Sequence, residues 1–353
     1  MTPAPGTLHE LVELAADDLT CVIHEGRVWR FGGLRRLSKD VAGLLRDRGV
    51  RRGDRVALWL HNCPEWIATV LACARLGAVA VSVNTRFGSK EVGDLIARTA
   101  CKALVFAPLG QKRPHAEILV SIDAHRRRSL ETLLTVGASP GEGSLAGVPL
   151  VAFADIPAGG DVPAEGRPED GCIVFTTSGT TSAPKLVLHA QERICRHAAD
   201  VSRSFEFARE DTRILQAVPL AGVFGFSLAV TALHAGKPLV LMTDFRPEQA
   251  VSLLREHAVT NMIGTDDMLD KMLAVTDDPS AFRSLRFYGH ANFNPGLKDL
   301  GPRAEGRGVV LRGLFGMSET FALFAAQPAD APLDRRVLAG GVPVSSAARV
   351  RAT

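Results

Sequence analysis

Apolar positions along this chain change period repeatedly, and each change marks a predicted element. Thr7-Leu8-His9-Glu10 has the spacing of a capping box and predicts a first helix. Cys21–His24 and Val28–Phe31 are short β-forming runs on either side of Glu25-Gly26-Arg27, which predicts a hairpin. Leu34, Leu37, Val41, Leu44 and Leu45 then share one helical face that Gly49 ends, and a strand is expected over Val56–Leu60. The alternation continues with a helix over Pro64–Leu76 stopped by Gly77, a buried strand over Ala78–Val83, a helix over Ser89–Arg98 and a strand over Ala103–Phe106. Helix and strand in alternation with short loops predict a parallel sheet covered by helices.

Between about Val136 and Asp170 the pattern gives way to Gly, Pro, Ala and acidic residues, and only Val148–Phe153 reads as a strand. The expected internal boundary lies there. Alternation then resumes: helix Gln191–Phe207, strand Arg213–Val218, helix Phe226–Ala235, strand Leu239–Met242, helix Pro247–His257 and strand Val259–Ile263. The fold class is α/β, with a first subdomain over residues 1–150, a Gly/Pro-rich connection over 136–170 and a second subdomain over 171–340.

Ile214–Ala235 carries no charged residue and is long enough to cross a bilayer. Its Gln216, Pro219, Gly222, Gly225, Ser227, Thr231 and His234 argue instead for a buried strand, a glycine loop and a buried helix, with no membrane span. Length changes the picture only by implying more than one core, since the chain has 353 residues. With 41 basic against 38 acidic residues and no basic arm beyond Arg126-Arg127-Arg128, nucleic acid is not an expected partner. Cys21, Cys63, Cys73, Cys101, Cys172 and Cys195 are scattered without CxxC pairing, as in a cytoplasmic protein lacking disulfides and zinc. The first twenty residues, with Glu10, Glu13, Asp17 and Asp18, do not read as a signal peptide. Oligomerisation is left open.

The densest chemistry follows the apolar run Cys172-Ile173-Val174-Phe175. Thr176-Thr177-Ser178-Gly179-Thr180-Thr181-Ser182-Ala183-Pro184-Lys185 combines hydroxyls, a glycine and a lysine. Polyphosphate oxygens need donors from several directions, and such a loop supplies hydroxyls, close backbone N–H groups and a mobile positive charge. It is not the Walker pattern, in which Gly-Lys precedes Ser/Thr and opens a helix, because Lys185 follows Pro184 and precedes Leu186-Val187-Leu188. Taken alone, the same run could close a polar hairpin between two buried strands.

Several segments in order resemble the adenylate-forming superfamily of acyl-CoA synthetases, luciferases and peptide-synthetase adenylation domains, over nearly the whole chain. Gly49–Val56, Asn62-Cys63-Pro64-Glu65 and Gly77 to Arg86 are its structural marks. The resemblance implies that Thr177, Ser178, Gly179, Thr180, Thr181 and Lys185 contact the triphosphate of ATP. Ser182 and Leu186 stand where that family usually has glycine, and imply a stiffer loop or a changed resting position. Leu314-Phe315-Gly316-Met317-Ser318-Glu319-Thr320 resembles the element that lays an aromatic ring on adenine and a carboxylate on magnesium. Phe315, with Gly316 and Ser318, takes the nucleotide role, and Glu319 with Thr180 the Mg²⁺ role. Glu319 after Ser318 could also be no more than a helix N-terminal acid.

Tyr288-Gly289-His290-Ala291-Asn292-Phe293 falls where the family has a Gly-Gly-Ala-Pro wall. Gly289 and Ala291 keep that pattern; His290 and Asn292 would narrow or repolarise the pocket unless they point away, and His290 could equally be a satisfied loop histidine. Pro219–Phe226 corresponds to the segment beside the acyl chain, with Gly222 where the family has histidine. The implied acid pocket comprises Gly222, Phe224, Gly225, Phe226, Ala291 and Met317. No aspartate lies between Gln216 and Leu241 to hold a substrate ammonium, which disfavours amino acids.

The implied reaction is attack of a small-molecule carboxylic acid, fatty or aryl, on the α-phosphorus of ATP, with Lys185, Glu319 and Thr180 as catalytic groups. The acyl-adenylate would then pass to coenzyme A, or to a carrier protein in a related reading. Because the family continues through a third, barrel-like subdomain and a small C-terminal domain, residues 341–353 read as the start of that third subdomain in a chain expected to be an impaired N-terminal fragment. A non-catalytic nucleotide- or acyl-binding remnant of the same fold is the alternative.

Overall fold

A computed structural model describes residues 5–110, 113–137, 143–158, 161–177, 184–294 and 296–348. The strands, in chain order, are β1 (Thr20–His24), β2 (Arg27–Arg30), β3 (Arg55–Trp59), β4 (Val79–Ser82), β5 (Ala103–Phe106), β6 (Thr132–Thr135), β7 (Ser144–Leu145), β8 (Val148–Ala152), β9 (Gly171–Thr177) and β10 (Lys185–Ala190), then β11 (Ile214–Gln216), β12 (Leu239–Leu241), β13 (Asn261–Thr265), β14 (Phe287–Ala291), β15 (Leu311–Phe315), β16 (Ala325–Ala326) and β17 (Val342–Pro343). Between them run α1 (Glu10–Glu13), α2 (Phe31–Asp47), α3 (Pro64–Leu76), α4 (Ser89–Thr99), α5 (His115–Ser121), α6 (Gln191–Ser204), α7 (Val223–His234), α8 (Pro247–Glu256), α9 (Asp266–Ala274), α10 (Leu300–Glu305) and α11 (Leu333–Arg336). Contacts divide the chain into two compact units: residues 1–19 with 30–195, and residues 20–29 with 196–353.

The first unit is built on a sheet of order β10-β9-β4-β3-β5-β6-β8-β7. β9, β4, β3, β5, β6 and β8 run parallel, while β10 and β7 close the two edges in antiparallel pairing. Strand order reverses at β3, whose neighbours β4 and β5 both follow it in sequence, and open α/β sheets bind ligands at the carboxyl ends of strands near such reversals. α3 is apolar on nearly every side, and all its residues except Glu65 are buried, so it serves as core rather than as a covering layer. Gly77 stops it in the left-handed conformation, φ +68°, a region that a residue with a Cβ enters at a penalty.

The second unit has the order β17-β16-β15-β14-β13-β11-β12-β1-β2, parallel from β15 through β1 and antiparallel at β16 and β17. Tyr288, Met262, Leu269, Phe282 and Leu311 lie in a buried apolar cluster of this unit, under α8 to α10. The charge-free stretch at 214–235 is β11, a glycine turn and α7, and no helix among the described residues is long and apolar enough to cross a membrane.

The expected boundary at 136–170 differs from the division that the contacts draw, which falls within α6. That stretch is low in apolar residues because it is pinned by polar contacts. Arg75 of α3 donates to the Val162 carbonyl at 2.6 Å, the Glu165 and Gly166 N–H groups donate back to the Arg75 carbonyl, and Arg52 pairs with Asp170. β9 then enters the first sheet beside β4, so the strands flanking the hydroxyl-rich loop belong to the first unit, not to one beginning at residue 171. β17 likewise joins the second unit's sheet by pairing with β16.

Candidate functional site

In the first unit, β9 and β10 form an antiparallel hairpin in which Thr177 lies directly across from Lys185. The structure shows the two strands of that hairpin, a pairing that fits either reading of the run between them. Thr177 is half-buried and Lys185 is exposed, both at the carboxyl end of β9. Ser178, Gly179, Thr180, Thr181 and Ser182 lie outside the described residues. Leu186, two positions from Pro184, is half-buried and packs on the core cluster that includes Val92, Leu95 and Leu104.

At the carboxyl ends of β3 and β5 in the same unit, Trp59 and His115 stack with ring centroids 3.9 Å apart and planes 13° from parallel, and the His61 ring lies nearly parallel to His115 at 6.2 Å. His115 is buried, and burial first, then the charge of His61, pushes its pKa down to about 4. The ring is therefore neutral across the physiological range.

In the second unit, the carboxyl ends of the parallel strands gather the residues singled out for adenine and acyl chain. β14 ends at Ala291, which is half-buried, and Gly289 two positions earlier shares its face. A Cβ on Gly289 would stand 2.7 Å from Leu314 Cδ1 and 2.9 Å from Phe287 Cζ, so that face is closed to any side chain there. His290 alternates to the other face with Tyr288, where it is buried; it does not line the Gly289–Ala291 face. Burial lowers its pKa, partly offset by the Val337 carbonyl and the charge of Asp266.

β15 delivers Phe315 with 47% of its surface exposed, followed by Met317 at 48% and the exposed Glu319. Large apolar side chains left open at a strand end need a reason, and a flat ligand supplies one. Gly316 is required by a close approach, since a Cβ there would meet the Ala322 backbone at 2.7 Å. Ser318–Thr320 form one 3₁₀ turn, with the Thr320 N–H donating to the Met317 carbonyl at 3.2 Å. Phe321, Ala322 and Leu323 then take φ of +62°, +53° and +35° in succession, all three buried. Three consecutive left-handed residues carrying side chains store strain of about 1–2 kcal/mol each, the kind that persists only where surrounding packing dictates it. Glu319 is thus a turn residue held by a buried anchor, not a long helix's N-terminal acid.

After β11 the chain turns at Pro219, whose carbonyl accepts from the Gly222 N–H at 3.1 Å, and α7 starts at Val223 instead of Phe226 because extended Gly222 (φ −104°) sits at its N-cap. Gly225 is packed so tightly that a Cβ would stand 2.2 Å from the Pro219 carbonyl oxygen, whereas at Gly222 the nearest atom is that same oxygen at 3.5 Å. Gly225 is structural and Gly222 opens space. Phe224 is half-buried; Phe226 is buried, edge-on to Phe321 at 5.9 Å.

One important residue gives no signal as such in the sequence. Asp266, 2% exposed, accepts from the Phe293 and Asn294 N–H groups at 2.9 and 2.6 Å, and so fixes the chain beyond Ala291. Thr265 caps α9 through the Met268 N–H and also accepts the Tyr288 hydroxyl on its carbonyl at 3.0 Å. Burial and the Asp266 charge hold that phenol well above its ordinary range, so it stays a donor. The only hint was an N-cap Thr followed by two acids, which reads as ordinary helix capping.

Comparison with known proteins bears on the chain as a whole. The AMP-binding enzyme family matches residues 12–351. Feruloyl-CoA synthase from an Amycolatopsis species is 30% identical over 335 residues, 92% of this chain and 61% of that protein. Indoleacetate–CoA ligase of Aromatoleum aromaticum is 29% identical over 84% of this chain and 56% of its own length. The chain thus spans under two thirds of these relatives. Among solved structures, o-succinylbenzoate CoA synthetase of Bacillus subtilis, in complex with the acyl-adenylate intermediate OSB-AMP, aligns over 96% of this chain and 64% of its own with a TM-score of 0.78 at 22% identity. The N-terminal domain of FACL13 from Mycobacterium tuberculosis aligns over 92% and 79%, with a TM-score of 0.76 at 19% identity. Both of these show the shared fold.

Proposed function

The chain belongs to the AMP-binding enzyme family, and from that premise we propose that it serves the ATP-dependent activation of a carboxylic acid as an acyl-adenylate, with the acyl group passing on to the thiol of coenzyme A. The observation that carries the reading is the second unit's strand edge, where exposed Phe315 and Glu319 lie on either side of Gly316, a glycine that a close backbone approach explains. Phe315 would stack on adenine, with Gly289, Ala291, Gly316 and Ser318 as its surroundings. Thr177 to Thr181 and Lys185 would hold the phosphates and stabilise charge as the acid's oxygen attacks the α-phosphorus and pyrophosphate leaves. Glu319, an exposed hard-oxygen ligand, would suit Mg²⁺, as would the Thr180 hydroxyl, and the ion when bound would neutralise phosphate charge.

The acid is fatty, cyclic or aromatic. Gly222 leaves room beside α7, Phe224 and Phe226 supply apolar surface, and Met317 adds an adaptable apolar side chain. The relatives' names, a feruloyl and an indoleacetate ligase among them, support an aryl acid as the first candidate.

Calorimetric titration with Mg-ATP tests the site. Lys185→Ala and Glu319→Ala are each expected to weaken binding about tenfold; unchanged affinity in both removes these residues from it. Pyrophosphate release with a panel of fatty and aryl acids tests the chemistry, and nucleotide binding without release for any acid would favour a non-catalytic binding protein.

A further inference from the structure

We propose that Arg98 is a positioning residue for Lys185, clamping the second strand of the phosphate-loop hairpin from the last turn of α4. The inference rests on the reading of residues 177–185 as a phosphate loop and goes beyond it by assigning what fixes the loop's cationic end.

Arg98 Nη1 donates to the Pro184 carbonyl at 2.8 Å. Pro184 has no N–H, so this carbonyl is its sole conventional backbone hydrogen-bonding group, and it lies one peptide before Lys185. Under the contact is a cavity of about 280 Å³ walled by Phe87 and Leu95 on one side and Thr176 and Pro184 on the other. Side-chain packing therefore leaves the stem unfilled at that point, and a polar tether takes its place. The two carboxylates at the cavity wall are engaged elsewhere: Glu91 accepts the Gly88 N–H at 3.0 Å and Asp94 pairs with Arg126. On the other side of Lys185, Leu186 is packed against the core of the same unit. Lys185 is thus held at both neighbours while its own side chain is exposed.

The arrangement gives a physical role to a departure noted in the sequence. A glycine after the lysine would leave that end of the loop free to swing. With Leu186 packed against the core and Pro184 tethered, the lysine's Cα becomes a fixed post and only its four-carbon stem moves. Arg98 acts through this post and need not touch nucleotide.

A double-mutant cycle on the full chain, read by Mg-ATP affinity, tests the clamp. Arg98→Ala is expected to weaken binding about threefold to tenfold, the range for one lost hydrogen bond. Arg98→Lys, which keeps a donor within reach of the carbonyl, should restore it. In a Lys185→Ala background Arg98→Ala should have no further effect. An unchanged affinity for Arg98→Ala, or a loss fully additive with that of Lys185→Ala, overturns the clamp. Hydrogen exchange without nucleotide separates this failure from failure of the phosphate-loop reading. Arg98→Ala should speed exchange at residues 185–187 while the thermal midpoint holds, and unchanged exchange overturns the clamp whatever ATP does. Accelerated exchange with Lys185→Ala leaving affinity untouched sinks the phosphate-loop reading, and with it any role for Arg98 in nucleotide binding.

Discussion

The two strand edges that carry the candidate chemistry are built on opposite plans. In the first unit the chemistry is concentrated in one uninterrupted run of sequence, and the fold adds a plain hairpin in which Thr177 faces Lys185. In the second unit the corresponding groups come from four segments far apart in sequence, and they meet only because Gly225, Gly289 and Gly316 allow backbone and side chains to approach where any Cβ would collide. One edge is specified by what its residues carry, the other by what its residues lack. Substitutions should accordingly damage binding at the first edge and folding at the second.

The strongest test of that contrast is Gly225→Ala. A Cβ 2.2 Å from a backbone oxygen forces α7 away from β11, and a loss of about 3 kcal/mol in urea-denaturation stability is expected. A loss under about 0.5 kcal/mol would erase the distinction.

Acid provides a second test. The His115 ring in the first unit is held neutral by burial, with its pKa near 4 against about 6.5 when unfolded. Above pH 6.5 neither state binds the proton. Between pH 6.5 and about 4 the unfolded chain takes it up and the native state resists, so stability should fall with falling pH across that window, by roughly 3 kcal/mol at most, and level off below. His115→Phe, which keeps a ring against Trp59, should flatten part of the slope, while His9, His234 and His290, also lowered by burial, keep the rest. An unchanged profile in His115→Phe refutes the assignment.

Asp266→Ala should cost about 2 kcal/mol, because it removes the charged acceptor of the Phe293 and Asn294 N–H groups, and should quicken hydrogen exchange at residues 292–294. The smallest expected effects sharpen the contrast from the other direction. Lys185→Ala, at an exposed side chain, should leave stability within about 0.5 kcal/mol, as should Gly222→His, since only one atom comes within 4 Å of the added Cβ. Gly222→His should instead narrow the range of acids accepted, which a substrate panel would read.

This contrast also explains what was legible in the sequence. α3 is legible to the residue, Pro64 to Leu76, because proline opens it, glycine closes it and the run between is mostly apolar, broken only by Glu65, Thr69 and Arg75. The hydroxyl-rich make-up of Thr177 to Lys185 is local and plain in the sequence, while its role in binding phosphate stands as a proposal. β14 and β15 gave no strand signal, since Gly289 and Gly313 interrupt them and Arg312 and His290 break any apolar run; their strand character comes from pairing with each other and with β13. Asp266 could not be singled out because its partners lie 27 and 28 residues away. The unit division was missed for a related reason: Arg75, Arg52 and Asp170 stitch a glycine- and proline-rich stretch to the first unit with polar contacts, which leave no apolar periodicity to read.

The left-handed run Phe321-Ala322-Leu323 has a practical consequence for anyone seeking a hardier version of this protein. Ala322→Gly would be the natural choice for a stabilising change, because glycine relieves a positive φ. Yet the same kinked, buried turn closely follows Glu319, and under the proposed magnesium role a relaxed turn would let that carboxylate wander. Heat resistance and aim are set against each other at this one position, so a library selected for thermal tolerance alone should drift away from activity there first.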